Sequence, residues 1–308
     1  MILYQREACA RRWLIMVLFC GLAAGCDPAT NEAKSLRTAC EGGNATACHG
    51  FAERLQNGDH VLRDAERAAG MFEQGCTGGV AASCASLGMM FQAGDGVTRD
   101  SIRGQELLAR GCERGALDGC VRVGVLYLEG AGVDVDTVRA SELFRRGCDG
   151  DAPSGCAHLA ALYAGENGTT QDFDLAATLF KKACDAEVGI GCVGLGRLHA
   201  AGTGAQQNDS LAAVLFKKGC SKGRRDGCYD LALAYETGRG VPQNFEEASW
   251  RYRWSCDFGN GLACARLGDM HAKGAGIWQS EKRAAELHRR ACELGVDESC
   301  NRPEPAAS

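Results

Sequence analysis

Two cysteines eight residues apart recur eight times along this chain: Cys40/Cys48, Cys76/Cys84, Cys112/Cys120, Cys148/Cys156, Cys184/Cys192, Cys220/Cys228, Cys256/Cys264 and Cys292/Cys300. Each pair stands 36 residues after the one before. A period of this length marks a solenoid, in which one small unit repeats and buries its apolar face only against its neighbours. Metal ligation, redox chemistry and structural disulfides compete to explain the pairs. Zinc and iron–sulfur sites use CxxC knuckles, c-type haem uses CxxCH, and redox catalysis favours one CxxC pair at a helix start; none of these occurs in the chain. Disulfides account for all sixteen residues and imply an oxidising compartment. No metal and no cofactor is expected.

Nineteen cysteines is an odd total, and the N-terminus supplies the other three. Arg6, Arg11 and Arg12 precede an apolar run from Trp13 to Ala24, followed by Gly25 and Cys26. That order reads as an export signal over residues 1–25, too short to span a bilayer. Cys9 and Cys20 would leave with it. "LAAGC" at 22–26 resembles a bacterial lipobox, with Ala23 where Leu is most common. The resemblance implies acylation of Cys26 and membrane attachment through lipid only, with Asp27 resembling an inner-membrane retention signal; plain secretion is the alternative. A net charge of −5 without a basic run excludes nucleic acid as a partner.

Between the pairs the period carries a helical grammar. Eleven residues past each first cysteine stand Phe51, Leu87, Val123, Leu159, Leu195, Leu231 and Leu267. The next column is small throughout: Ala52, Gly88, Gly124, Ala160, Gly196, Ala232 and Gly268. The cap column reads Asp64, Asp100, Asp136, Asp172, Asn208, Asn244 and Ser280, residues that close helix N-termini. A second helix follows each cap, with a ring or leucine at Phe72, Leu108, Phe144, Phe180, Phe216, Tyr252 and His288. Each unit is therefore a helix A, a glycine turn and a helix B. Cys76 would end one helix B and Cys84 begin the next helix A across a seven-residue turn. The basic pairs Arg145-Arg146, Lys181-Lys182, Lys217-Lys218 and Arg289-Arg290 fall at the ends of B helices, where the dipole and solvent explain them without a partner.

These columns resemble the Sel1-like repeat, roughly LGxLYxxGxGVxxDxxxAxxxFxxA; "LGMMFQAGDGVTRDSIRGQELLARG" and "VGVLYLEGAGVDVDTVRASELFRRG" carry it. The cysteine pairs narrow the likeness to the cysteine-rich Sel1-like proteins, of which the Helicobacter family is best known. The pattern departs at "QNGDHV" (56–61) and "GENGT" (165–169). The resemblance implies an all-α, right-handed αα-superhelix over residues 40–300, with residues 26–39 as lipidated linker and capping helix and 301–308 as a tail. It also implies a monomer whose partner is a protein or peptide, in a bacterial envelope. A mitochondrial assembly factor of the same class is a weaker fit.

No catalytic set emerges, and His199 and His271 occupy a column of packed rings. Binding is instead expected on the concave helix-A stripe, at Asp118, Arg122, Glu129, His158, Arg197, Asp230, Arg266 and Asp269. The rival reading comes from the same resemblance: cysteine-rich members are described as penicillin-binding proteins and β-lactamases. An affinity for cell-wall peptides or β-lactams would reconcile the two.

Overall fold

The computed structural model describes residues 28–165 and 170–301. The segment expected to be an export signal (1–25), Cys26, most of the "GENGT" segment and residues 302–308 lie outside them. The described residues form helices α1 (Pro28–Glu41), α2 (Ala45–Asn57), α3 (Ala65–Thr77), α4 (Ala81–Ala93), α5 (Ser101–Glu113), α6 (Leu117–Glu129), α7 (Thr137–Asp149) and α8 (Pro153–Ala164). They continue as α9 (Phe173–Asp185), α10 (Gly189–Ala201), α11 (Asp209–Ser221), α12 (Arg225–Thr237), α13 (Phe245–Asp257), α14 (Gly261–Lys273), α15 (Glu281–Glu293) and the short α16 (Asp297–Cys300). No strand occurs among the described residues. Two compact units result, one ending at Val123 and the other beginning at Gly124, both within α6. Each is a stack of antiparallel helix pairs of the αα-solenoid class, with even-numbered helices in the A role and odd-numbered helices in the B role.

The caps do what their chemistry predicts. Asp64, Asp100, Asp136, Asp172, Asn208, Asn244 and Ser280 each accept a hydrogen bond from the backbone N–H three residues on. Within each pair, the small column of helix A lets the helix B ring approach. A Cβ at Gly124 would stand 2.7 Å from the Phe144 ring, and one at Gly196 2.7 Å from Phe216. Phe72, Phe144 and Tyr252 are fully buried there. In the first unit Phe51, Leu55, Leu87 and Met90 close the core around Phe72.

All eight nearest-partner disulfides form, with Cα–Cα separations of 4.4 to 4.9 Å. The linker between B and A helices is shorter than the seven residues expected. α3 runs on to Thr77 and α4 starts at Ala81, so only residues 78–80 are non-helical. The cysteines sit inside the final and first helical turns and tie two antiparallel helix ends. Three residues can reverse the chain only through a left-handed position, held by Gly79, Gly115, Gly223, Gly259 and Gly295. Asp151 (φ 66°) and Glu187 (φ 64°) take that conformation without being glycine, at a cost of about 1–2 kcal/mol each.

The bridges clamp consecutive helices across this shorter turn, as expected, and their second sulfurs are core atoms as well. Cys48, Cys84, Cys120, Cys156, Cys192, Cys228 and Cys264 are fully buried, none more than 1% exposed. The reason is where helix A begins. Because it starts three residues ahead of the cysteine, each of these sulfurs falls on the inward face of the first turn. There Cys84 packs with Phe72 and Leu87, Cys156 with Ala157 and Ala183, Cys192 with Leu215, and Cys264 with Tyr252 and Leu267. Cys48 sits with Ala47 in the same way, against Leu36 and Met71.

Successive hairpins interlock at two further points. In four A–B loops the second glycine seats on the first turn of the preceding helix B: Gly96 on Ala65, Gly204 on Phe173, Gly240 on Asp209 and Gly276 on Phe245. In the first hairpin His60 stands at this column with φ 58°, so "QNGDHV" keeps the left-handed turn with a different residue. The basic pairs of the B helices do have partners. Lys182 Nζ donates to the Cys148 carbonyl at 2.8 Å, and Lys218 Nζ to the Cys184 carbonyl at 2.7 Å. Each ammonium thus closes the end of the preceding helix B, where carbonyls lack intrahelical donors. The neighbour that accepts lies 34 residues earlier, beyond any local inspection of the sequence.

Candidate functional site

In the second unit, ion pairs cross between successive A helices along the expected polar stripe. From α10, the Arg197 guanidinium donates to Asp230 of α12 at 2.7 Å and lies 3.9 Å from Asp226. Arg224 holds the other side of Asp226 at 3.0 Å. Burial pushes the Asp226 carboxyl up, but the Arg224 hydrogen bond and charge, with Arg197 behind, outweigh it and hold the carboxyl below its usual range. At Asp230 burial wins over Arg197, and the neighbouring Asp226 charge adds to it, so this carboxyl is raised. Two carboxylates with opposite shifts therefore share one arginine.

One repeat further, Glu236 of α12 lies 3.9 Å from Arg266 of α14 and accepts a 2.6 Å hydrogen bond from the Tyr252 hydroxyl. Burial and that hydrogen bond raise the Tyr252 pKa, so the phenol stays a donor. Beside the Arg197–Asp230 pair opens a cavity of about 270 Å³, floored by Ala200, Ala212, Phe216 and Ala234 and bounded by Arg239. Arg239 pairs with Asp209 at 2.8 Å and donates to the Ala200 carbonyl at 3.1 Å. The arrangement is an apolar trough between fixed charges of both signs.

The other stripe residues are placed differently. Asp118, Arg122 and Glu129 are exposed along α6, the first two in one unit and Glu129 in the other. His158 stacks on the Phe144 ring at 5.0 Å and 20°, which turns it toward the neighbouring hairpin. Asp269 lies 3.4 Å from the buried His288 ring within the last hairpin. His199 and His271 fix their rings by bonding Nδ1 to the carbonyls of Gln206 (2.9 Å) and Trp278 (3.0 Å). The disulfides take no part in the site. Cys48, Cys120, Cys156, Cys192, Cys228 and Cys264 are buried too deeply for a partner or a metal to reach their sulfurs. Sequence reasoning missed Arg224, Glu236 and Tyr252. Tyrosine in a column of phenylalanines was the available signal, since a buried phenol seeks a polar partner.

A Ser–His–carboxylate contact also forms in the first unit. The Ser83 hydroxyl and His49 Nδ1 share a 3.1 Å hydrogen bond, and His49 Nε2 lies 3.5 Å from Glu53. Ser83 is fully buried, however, in the space the missing side chain of Gly75 leaves free. A carbonyl carbon cannot reach that oxygen. The contact fixes the hairpins and leaves His49 tilted against Phe72.

The Sel1 repeat pattern matches residues 45–80, 81–115, 117–151, 153–188, 190–223, 225–248 and 261–296. The chain belongs to the Sel1 repeat family. Sel1 repeats are typically protein-interaction scaffolds. Among solved Sel1 structures, c5321, a protective antigen of uropathogenic Escherichia coli, is 26% identical with a TM-score of 0.60. The match covers 87% of this chain and 57% of the antigen, so the chain spans little more than half of that protein. A Sel1 repeat protein from Oxalobacter formigenes, 22% identical, gives a TM-score of 0.60 over 87% of this chain and 78% of its own. Helicobacter pylori cysteine rich protein B is 28% identical over 43% of this chain and 96% of its own, with a TM-score of 0.35. No curated protein matches the chain. Eight disulfides in a Sel1 array indicate an oxidising, extracytoplasmic setting. No helix among the described residues is long and apolar enough to cross a membrane.

Proposed function

We propose that the second unit binds an extended peptide segment of a partner protein along α10, α12 and α14. The observation that carries this reading is the Arg197 bridge to Asp226 and Asp230 at the lip of the apolar trough. Half-buried charges held in place cost little to order on binding, and they select partners by complementarity more than by bulk affinity. Arg197→Glu leaves three carboxylates together and is expected to weaken capture at least about tenfold, the loss of roughly one charge pair. Cross-linking mass spectrometry on the purified chain with envelope extract, wild type against Arg197→Glu, measures this. Equal recovery of the same partner peptides by both would sink the proposal.

The reading extends to an exported, non-catalytic protein held to a bacterial membrane by lipid on Cys26, supported by the basic-apolar-small order of residues 6–26. Intact mass spectrometry of the envelope-extracted protein is expected to show cleavage before Cys26 and a diacylglyceryl adduct; a chain still carrying residues 1–25 overturns the anchor. β-Lactam hydrolysis is the runner-up. The burial of Ser83 weighs against it, and steady nitrocefin turnover by the oxidised, repurified protein would restore it.

A further inference from the structure

A pocket of one design recurs where a helix B meets the next hairpin, and its first copy has the opposite electrostatics from its second. The second copy, about 490 Å³, lies between α3, α4 and the loop after α4. Glu66 and Glu73 line it with Arg103, which pairs with Glu73 at 2.8 Å and lies over the Phe91 ring at 4.4 Å. The first copy, about 600 Å³, lies between α1, α2 and the loop after α2. Its residues stand 36 positions earlier: Thr30 for Glu66, Lys34 for Gly70, Arg37 for Glu73 and Arg67 for Arg103. Where the second pocket closes its own ion pair, the first sets two arginines and a lysine around the same apolar floor.

Four basic side chains, Lys34, Arg37, Arg63 and Arg67, face a single carboxylate, Asp64, in the lining. Asp64 is committed to capping α3, where it accepts from the Arg67 N–H, and its other oxygen lies 3.8 Å from the Arg67 guanidinium. Arg37 leans on Glu41 at 2.8 Å, an exposed pair that yields readily to a competing anion, while Arg63 is held by Asp95 at 2.8 Å and by the Gln56 carbonyl at 3.0 Å. The floor is Ala33, Phe51, Leu55 and Val61, with Leu62 standing almost wholly exposed beside it.

We propose that this first-unit pocket receives an acidic peptide segment of a partner protein, an apolar side chain on the floor and flanking carboxylates on Lys34, Arg37 and Arg67. The pocket is open to solvent rather than enclosed, and the excess of cations selects acidic flanks. This site is separate from the α10–α14 face.

Arg37→Glu supplies the test, because it rebuilds the Arg103–Glu73 bridge of the second pocket with Arg67 as its partner. A short fluorescein-labelled peptide of alternating leucine and glutamate, with its leucine–lysine counterpart as control, is titrated by polarisation against the full oxidised chain. The wild type is expected to bind the acidic peptide alone. Arg37→Glu is expected to weaken it about tenfold or more with an unchanged unfolding midpoint, and Lys282→Glu, a charge reversal at an exposed position of α15, to leave it unchanged. Lys34→Glu gives the same readout should Arg37→Glu fold poorly. Equal binding of both peptides, or of wild type and both pocket variants, overturns the assignment. So does Arg37-dependent binding to phosphatidylglycerol vesicles without peptide binding, which would make the pocket a lipid site.

Discussion

Complete reduction is expected to unfold both units. Each disulfide closes a loop of about nine residues, for which chain entropy gives about 2.5 kcal/mol of stabilisation. Three such loops fall in the first unit and five in the second, about 7.5 and about 12.5 kcal/mol, as large as the 5–15 kcal/mol typical net stability of a folded domain. In excess dithiothreitol under native buffer conditions, the helical circular dichroism should be lost as the sixteen thiols become alkylatable. A chain that keeps its helicity with every thiol alkylated would show that stacking alone suffices. Removing one interior pair, Cys184→Ala/Cys192→Ala, should lower stability by about 2.5 kcal/mol. The terminal Cys292–Cys300 pair, whose second sulfur lies at the exposed end of α16, should matter less.

Replacing the second turn glycine should cost about as much as removing one interior disulfide, and for a separable reason. Gly240 has φ 75°, and a Cβ there would run into the Asp209 carbonyl on the first turn of α11. The left-handed penalty of about 1–2 kcal/mol adds to overpacking against backbone of about 1–3 kcal/mol, so Gly240→Ala should cost about 3 kcal/mol. Gly79 has φ 93° with nothing within 4 Å of its would-be Cβ, so Gly79→Ala should cost only the left-handed share, about 1–2 kcal/mol. Urea denaturation of both variants separates the two effects. Equal losses would mean that the loop-on-helix contact contributes nothing.

Much of the fold was legible in columns. The caps, the small-on-ring packing and the cysteine pairing all follow from which residue type returns every 36 positions, because each is a local requirement of one hairpin. Contacts between hairpins were less legible. Lys182 reads as a solvated base until the Cys148 carbonyl is beside it, and Arg197 reads as one polar stripe residue until Asp230 arrives from the next repeat. Of the candidate binding residues, Arg197 and Asp230 form one ion pair, and Arg266 lies beside Glu236 of the same helix α12. Asp269 and His158 are drawn instead toward rings, His288 and Phe144, which column spacing alone does not reveal. The first-unit pocket was hidden in plain view: Arg37 in the Glu73 column means nothing until Arg67 and Arg103 are seen to occupy equivalent rims.

The spacing of the staples has a consequence for how such a chain matures. Sixteen thiols can pair in about two million ways, and a fold that joined remote strands would have to search among them. Here every correct partner is eight residues away, so each bond can close as soon as a short stretch meets an oxidant. The search does not grow as hairpins are added, and an organism can add repeats without burdening its isomerases.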